Sequence, residues 1–216
     1  MAVFMLNNFN NDFPRPELAD EDGLLAVGGD LTIERLLNAY SNGIFPWYNP
    51  GEWIHWWCPR ERFVIFPNKI HVSKSMRKTL KTTKLTVEFN SDFASVIHNC
   101  QKMREGETWI TSEMEIAYNQ LFDAGHALSV GVYDNNTLVG GLYGVVIGKC
   151  FFGESMFSKA PGASKIALIS LSQHLSRQGF IFIDCQFHTQ HLESMGGCFL
   201  PLSTYMLLLK VGTMVR

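Results

Sequence analysis

The stretch that most narrows the fold is Phe180-Ile181-Phe182-Ile183, set between Gly179 and Asp184. It is short and apolar at every position, as expected of a parallel strand buried on both faces. Just before it, Ser164 to Arg177 carries Ile166, Leu168, Ile169, Leu171 and Leu175 at helical spacing, with Gly179 as the stop. Earlier still, Leu128 to Tyr133, the turn Asp134-Asn135-Asn136, Leu138 to Ile147, the pair Gly148-Lys149 and Cys150 to Phe152 read as an antiparallel meander. Strand, helix and strand from Cys150 to Asp184 therefore make a β-α-β unit.

The N-terminal part reads differently. Phe13-Pro14-Arg15-Pro16 is an extended entry, and Leu31 to Tyr40 reads as a helix with Thr32 as N-cap and Gly43 as stop. Gly43-Ile44-Phe45-Pro46-Trp47-Tyr48, then Trp53, Trp56, Trp57 and Pro59, read as an aromatic loop region. Whether the Trp53–Trp57 cluster is a packing core or a binding face stays open at this level. Ser73 to Lys81 reads as a second helix with Lys74, Arg77, Lys78 and Lys81 on one face. Taken alone, that stripe is an ordinary solvated surface. No acidic residue interrupts the stretch between Arg62 and Glu88, although the net charge is only −2.

At 216 residues and 46% hydrophobic content the chain can bury a core. No apolar run approaches the ~18 residues that span a bilayer, and Met1 to Asn11 lacks the pattern of a secretory signal. The cysteines Cys58, Cys100, Cys150, Cys185 and Cys198 are scattered without a C-x-x-C pair, so reduced thiols in the cytosol are expected and no metal site. His188-x-x-His191 has only Glu193 nearby, which favours a local polar role.

In a parallel pair, ligands bind beyond the carboxyl ends of the strands. Glu154 is expected just past one strand end, and Asp184 and Gln186 past the other. If the chain stays extended, Asp184 and Gln186 share a side and Cys185 faces away. Two carboxylates and an amide then gather near an apolar wall of Phe151, Met156 and Ile183. On spacing alone, a catalytic group and a set of structural caps are equal readings.

Phe13-Pro14, Glu17-Leu18-Ala19, Gly23 to Leu31 (GLLAVGGDL), Gly43-Ile44-Phe45-Pro46-Trp47, Thr108-Trp109-Ile110-Thr111, Val139-Gly140-Gly141, Gly153-Glu154-Ser155-Met156-Phe157-Ser158 and Ile183-Asp184-Cys185-Gln186 occur in that order along the chain. In this the chain resembles the leucyl/phenylalanyl-tRNA–protein transferase family over nearly its whole length. The resemblance implies an α+β fold: a small N-terminal domain over 1–62 and an acetyltransferase-like (GNAT-like) catalytic domain with a mixed sheet over 63–216. It implies transfer of Leu or Phe, and Met more weakly, from aminoacyl-tRNA to proteins beginning with Arg or Lys, which feeds N-end-rule degradation. It implies Asp184, Gln186 and Glu154 as catalytic residues, and Trp47 and Trp109 beside the terminal adenosine. Phe151, Met156, Ile183, Leu142 and Leu171 match the aminoacyl pocket, the last two standing where some relatives carry Met and Phe. With the resemblance, Lys74, Arg77, Lys78 and Lys81 become tRNA phosphate contacts. No cofactor, no membrane and a cytoplasmic monomer are expected.

Elementary chemistry suits that reaction. An aminoacyl ester is already activated toward amines, and the chain has no phosphate-cradling G-x-x-x-x-G-K-[ST] stretch. Making an α-amino group neutral at pH 7 costs only ~1.4 kcal/mol, so positioning can replace a strong base. The expected arrangement has Asp184 orienting Gln186, Gln186 positioning the amine, and Glu154 facing a cationic acceptor. Rivals are Cys185 as a nucleophile, an acetyl-CoA enzyme using the Lys159–Ser164 loop, and a non-catalytic RNA-binding module.

Overall fold

The computed structural model describes residues 3–103 and 109–214. Thr108 and Arg216 lie outside the described residues. In chain order the elements are β1 (Phe4–Leu6), β2 (Leu24–Gly28), α1 (Ile33–Ser41), β3 (Phe45–Pro46), β4 (His55–Trp57), β5 (Glu61–Ile65), α2 (Lys74–Thr82), β6 (Thr86–Phe89), α3 (Phe93–Lys102), α4 (Ser112–Asp123), β7 (Ala127–Asp134), β8 (Thr137–Ile147), β9 (Cys150–Ser158), α5 (Ala163–Arg177), β10 (Phe182–Asp184), α6 (Gln190–Ser194), β11 (Cys198–Pro201) and α7 (Leu202–Met214).

The expected meander is present, with β7, β8 and β9 antiparallel neighbours. The crossover through α5 returns the chain to β10, which pairs with β9 in parallel. The seven-stranded sheet runs β11-β5-β10-β9-β8-β7-β6 and is mixed. One face packs on α5 through Ile166, Leu168, Ile169, Leu171 and Leu175, all buried. The other face packs on α3 and α4 through Val96, Ile97, Tyr118 and Leu121.

A second sheet, β1-β2-β4-β3, lies wholly in the N-terminal part. The aromatic stretch expected as loop is in fact half of it: Phe45 pairs with Trp57 and Pro46 with Trp56. Trp56 is fully buried and donates Nε1–H to the Gly28 carbonyl, whereas Trp53 is exposed, so the tryptophan cluster divides between core and surface. The hydrophobic cluster holding Trp56 and Tyr40 continues without a break into Tyr118, Phe152 and Phe182 of the larger sheet.

Two differences bear on the site. The third strand of the meander does not end at Phe152 but runs on to Ser158. Gly153, Glu154 and Ser155 interrupt the apolar pattern, yet pairing with β8 holds them in the ladder. The register slips between Gly144↔Gly153 and Tyr143↔Ser155, which leaves Glu154 as the extra residue of a β-bulge. Glu154 therefore sits inside a strand and not past its end. The second difference is at Gln186, whose φ of +56° ends the extended chain after β10.

Candidate active site

Asp184 closes β10 and is fully buried. Arg62, on β5 and equally buried, meets it with Nε at 3.0 and 3.1 Å and Nη2 at 2.8 Å. Tyr205 Oη donates to it at 2.7 Å, and the Gln186 backbone N–H donates at 2.8 Å. The Arg62 guanidinium lies between the Phe45 and Tyr205 rings and donates Nη1–H to the Gly43 carbonyl at 2.8 Å. Burial, the largest single effect, would lower the Arg62 pKa, and the charge and hydrogen bonds of Asp184 together with Tyr205 more than reverse it. Gly43 is needed here twice over: its φ is +71°, and a Cβ on it would fall 2.8 Å from the Tyr205 ring.

Gln186 reaches the site by its left-handed turn. The extended geometry expected of Asp184-Cys185-Gln186 does not hold, so Asp184 does not touch the Gln186 side chain; it fixes the backbone instead. The side chain is held by Glu154, whose Oε1 accepts from Gln186 Nε2 at 3.2 Å. Glu154 also accepts from Tyr40 Oη at 2.8 Å and Tyr118 Oη at 2.9 Å, and those two hydroxyls are 2.5 Å apart. Burial pushes the Glu154 carboxyl up to about 7, against the hydrogen bonds from Tyr40 and Tyr118, which pull it down. Both phenols are driven well above their usual range, burial being the main cause.

Two hollows meet at this cluster. The first, of about 360 Å³, is lined by Leu142, Phe151, Met156, Leu171 and Ile183 together with Leu168 and Leu192. The second, of about 290 Å³, is an aromatic cleft with Trp47 and Trp109 on it, beside Phe45 and Pro46. Glu154, Gln186, Phe187 and Thr189 border both. Trp47 leans on Phe187 and Trp57, with ring centroids 5.2 and 5.9 Å away, and its carbonyl accepts from Trp57 Nε1 at 2.7 Å.

Cys185 borders the apolar hollow with Ile183, and so does not face away as expected. Burial drives its thiol pKa up, which keeps it a protonated and poor nucleophile. His188 bonds Glu193 at 3.0 Å and stacks on Phe199, a local polar role. Lys74, Arg77, Lys78 and Lys81 are exposed along α2. None of them borders either hollow.

Sequence reasoning missed Arg62, Tyr205, Tyr40 and Tyr118. Arg62 had a signal, a charge opening the apolar run Phe63-Val64-Ile65. Tyr118 stands at helical spacing with Met114, Ala117 and Leu121, which marks a core position, but nothing local marks a role for its hydroxyl, whose partners lie 36 and 78 residues away.

Two family models match the chain: the leucyl/phenylalanyl-tRNA protein transferase over residues 64–210, and the N-terminal domain of that transferase over residues 29–60. A leucyl/phenylalanyl-tRNA–protein transferase of Syntrophus aciditrophicus (strain SB) is 52% identical over 202 residues, covering 92% of this chain and 84% of that one. One of Pseudomonas syringae pv. syringae (strain B728a) is 49% identical over 204 residues, covering 93% and 89%. Among solved structures, an aminoglycoside acetyltransferase from an uncultured soil metagenomic sample aligns with a TM-score of 0.39 and 14% identity over 60% of this chain and 87% of that one.

Proposed function

The chain belongs to the leucyl/phenylalanyl-tRNA protein transferase family, and from that premise we propose how its residues carry out the transfer. It is an aminoacyltransferase that takes Leu or Phe from aminoacyl-tRNA. The acceptors are proteins beginning with Arg or Lys, Met is a weaker donor, and the tagged proteins enter N-end-rule degradation. Since its donor is a charged tRNA, it acts in the cytoplasm. Among the described residues no helix is long and apolar enough to cross a membrane. Residues 1–62 are assigned to the small domain and 63–216 to the catalytic one, a boundary that falls within β5, whose Glu61 and Arg62 pair in the larger sheet.

The reading rests on the junction of the two hollows at Glu154 and Gln186. The aminoacyl side chain enters the apolar hollow, where Leu142, Phe151, Met156, Leu171 and Ile183 keep it dry. The terminal adenosine lies in the aromatic cleft and stacks on Trp47 and Trp109, worth ~1–3 kcal/mol per base. The ester between them then falls beside Gln186. Because Glu154 takes the amide N–H and Asp184 the backbone N–H, the Gln186 carbonyl oxygen is left to accept a hydrogen bond from the attacking α-amine. Such orientation supplies up to ~7–11 kcal/mol of the barrier, more than enough to replace a strong base. Asp184 thus acts through the backbone, as a positioning residue. Glu154 adds negative charge where the cationic acceptor arrives. The α2 lysines and arginine follow the tRNA phosphates.

The test is transfer of labelled Phe from charged tRNA to a peptide beginning with Arg, compared with one beginning with Ala, with acetyl-CoA as a control donor. Transfer to the Arg peptide alone is expected. Gln186→Ala should lower the single-turnover rate at saturating substrates by ~10²-fold. A near-normal rate would remove Gln186 from the mechanism.

A further inference from the structure

Three oxygen–oxygen contacts close Tyr40, Tyr118 and Glu154 into a ring, and Glu154 alone of the three borders the two hollows where they meet. A hydrogen bond needs one hydrogen, and each phenol brings one. An ionised carboxylate brings none. With Glu154 ionised, the ring therefore has three close contacts and two hydrogens. If both hydroxyls point at the carboxylate, the two phenolic oxygens face each other at 2.5 Å with nothing between them. Gln186 Nε2 donates to Glu154 Oε1 but reaches neither phenol. Both tyrosines are fully buried, so bulk water does not fill the gap. A third proton completes the ring, with each oxygen pair then sharing one hydrogen.

We infer that Glu154, held in a ring with Tyr40 and Tyr118, is the proton shuttle of the transfer, taking a proton from the acceptor's α-ammonium and returning it to the ribose oxygen freed from the ester. This deepens the function proposed above and rests on it. The balance is simple. The α-ammonium gives one proton to the ring, and the neutral amine attacks the ester carbonyl to form the C–N bond. As the C–O bond to ribose breaks, the ring proton passes to the leaving oxygen and makes a hydroxyl. The second proton lost by the nitrogen goes to solvent. A carboxyl near 7 beside an α-amine of ~8 suits a group that must both take and release a proton. The phenols hold their own protons throughout, being pushed well above their usual range. The other charged or titratable groups facing Glu154 are Asp184, which raises its pKa, and Arg62, which lowers it; Tyr143 packs on Tyr118.

The test is single-turnover transfer of Phe to an Arg peptide, both substrates saturating, followed across ~pH 5.5–9. Tyr118→Phe opens the ring, so the limb of the rate profile owed to Glu154 should shift in pH while the limb of the acceptor amine stays put. Tyr40→Phe should do the same. Glu154→Gln should erase that limb and lower the rate by ~10²-fold or more. Rates that fall at every pH in both tyrosine variants with the limb unmoved would make the ring mere support and overturn the shuttle. So would a Glu154→Gln enzyme with the wild-type profile. Wild-type enzyme that transfers nothing to the Arg peptide would instead strike down the proposed function.

Discussion

Asp184 accepts from Arg62, Tyr205 and the Gln186 backbone at once, which leaves its oxygens committed inside the protein. Removing one partner of such a buried pair strands the other charge. Arg62→Met should therefore cost ~3–5 kcal/mol in urea unfolding, and adding Asp184→Asn should return part of the loss because no charge is left to strand. A loss below ~1 kcal/mol would mean that Asp184 finds another counter-charge. Glu154 makes the opposite kind of prediction. Its carboxyl is raised from 4.5 to about 7 in the folded chain, so the folded state binds that proton more tightly than the unfolded state. Stability owed to it is thus whole at low pH and is lost as pH rises through about 7. The loss is at most ~3 kcal/mol, and less because the side chain is only half-buried. Glu154→Gln should flatten the fall of melting temperature between pH 5 and 8 seen in the wild type. Equal slopes in both proteins would assign the effect elsewhere.

At the scale of elements, α2 separates charge from packing. Met76 buries one side of the helix, and Ser73 Oγ caps it by accepting from the Met76 N–H at 3.2 Å. Arg77 also donates Nε–H to the Val72 carbonyl at 3.0 Å, so Lys74, Lys78 and Lys81 are the cleaner probes of a phosphate track. Lys78→Ala and Lys81→Ala should each flatten the dependence of log Kd on log salt for tRNA by about one unit, at unchanged melting temperature. An unaltered slope would return the stripe to ordinary surface. Elements with strong periodicity were legible in advance. The helix expected from Ser164 begins at Ala163 and ends as expected at Arg177, because a continuous apolar face fixes its phase. The short strands β5, β6 and β11 were not, since four or five residues carry too little pattern and their pairing comes from distant partners. The bulge at Glu154 was hidden for the same reason. Gly153 and Ser155 look like the end of a strand, and only the β8 ladder shows the chain going on.

At the scale of the whole molecule, the residues that matter come from both sheets. Apolar lining residues such as Phe151 and Ile183 were legible because they sit in runs that any core would use. Tyr40 and Arg62 were not, since what gives them a role is a partner more than a hundred residues away. Those same links tie the small sheet to the large one: Tyr40 to Glu154, Gly43 through Arg62 to Asp184, and Trp56 within one cluster that reaches Phe182. The two sheets share one continuous hydrophobic cluster, so the chain should unfold as one cooperative unit. The tryptophans offer a direct check, because Trp47, Trp53, Trp56 and Trp57 stand on the small sheet or its loops and only Trp109 lies elsewhere. Tryptophan fluorescence therefore reports mainly the small sheet. Far-UV circular dichroism reports mainly the helices that pack on the large one. The two melting curves should coincide in the wild type, and Arg62→Met should lower both together. Fluorescence that melts well before the helical signal would show instead that the small sheet opens independently, with Arg62 and Tyr40 acting as a latch between two separately stable parts.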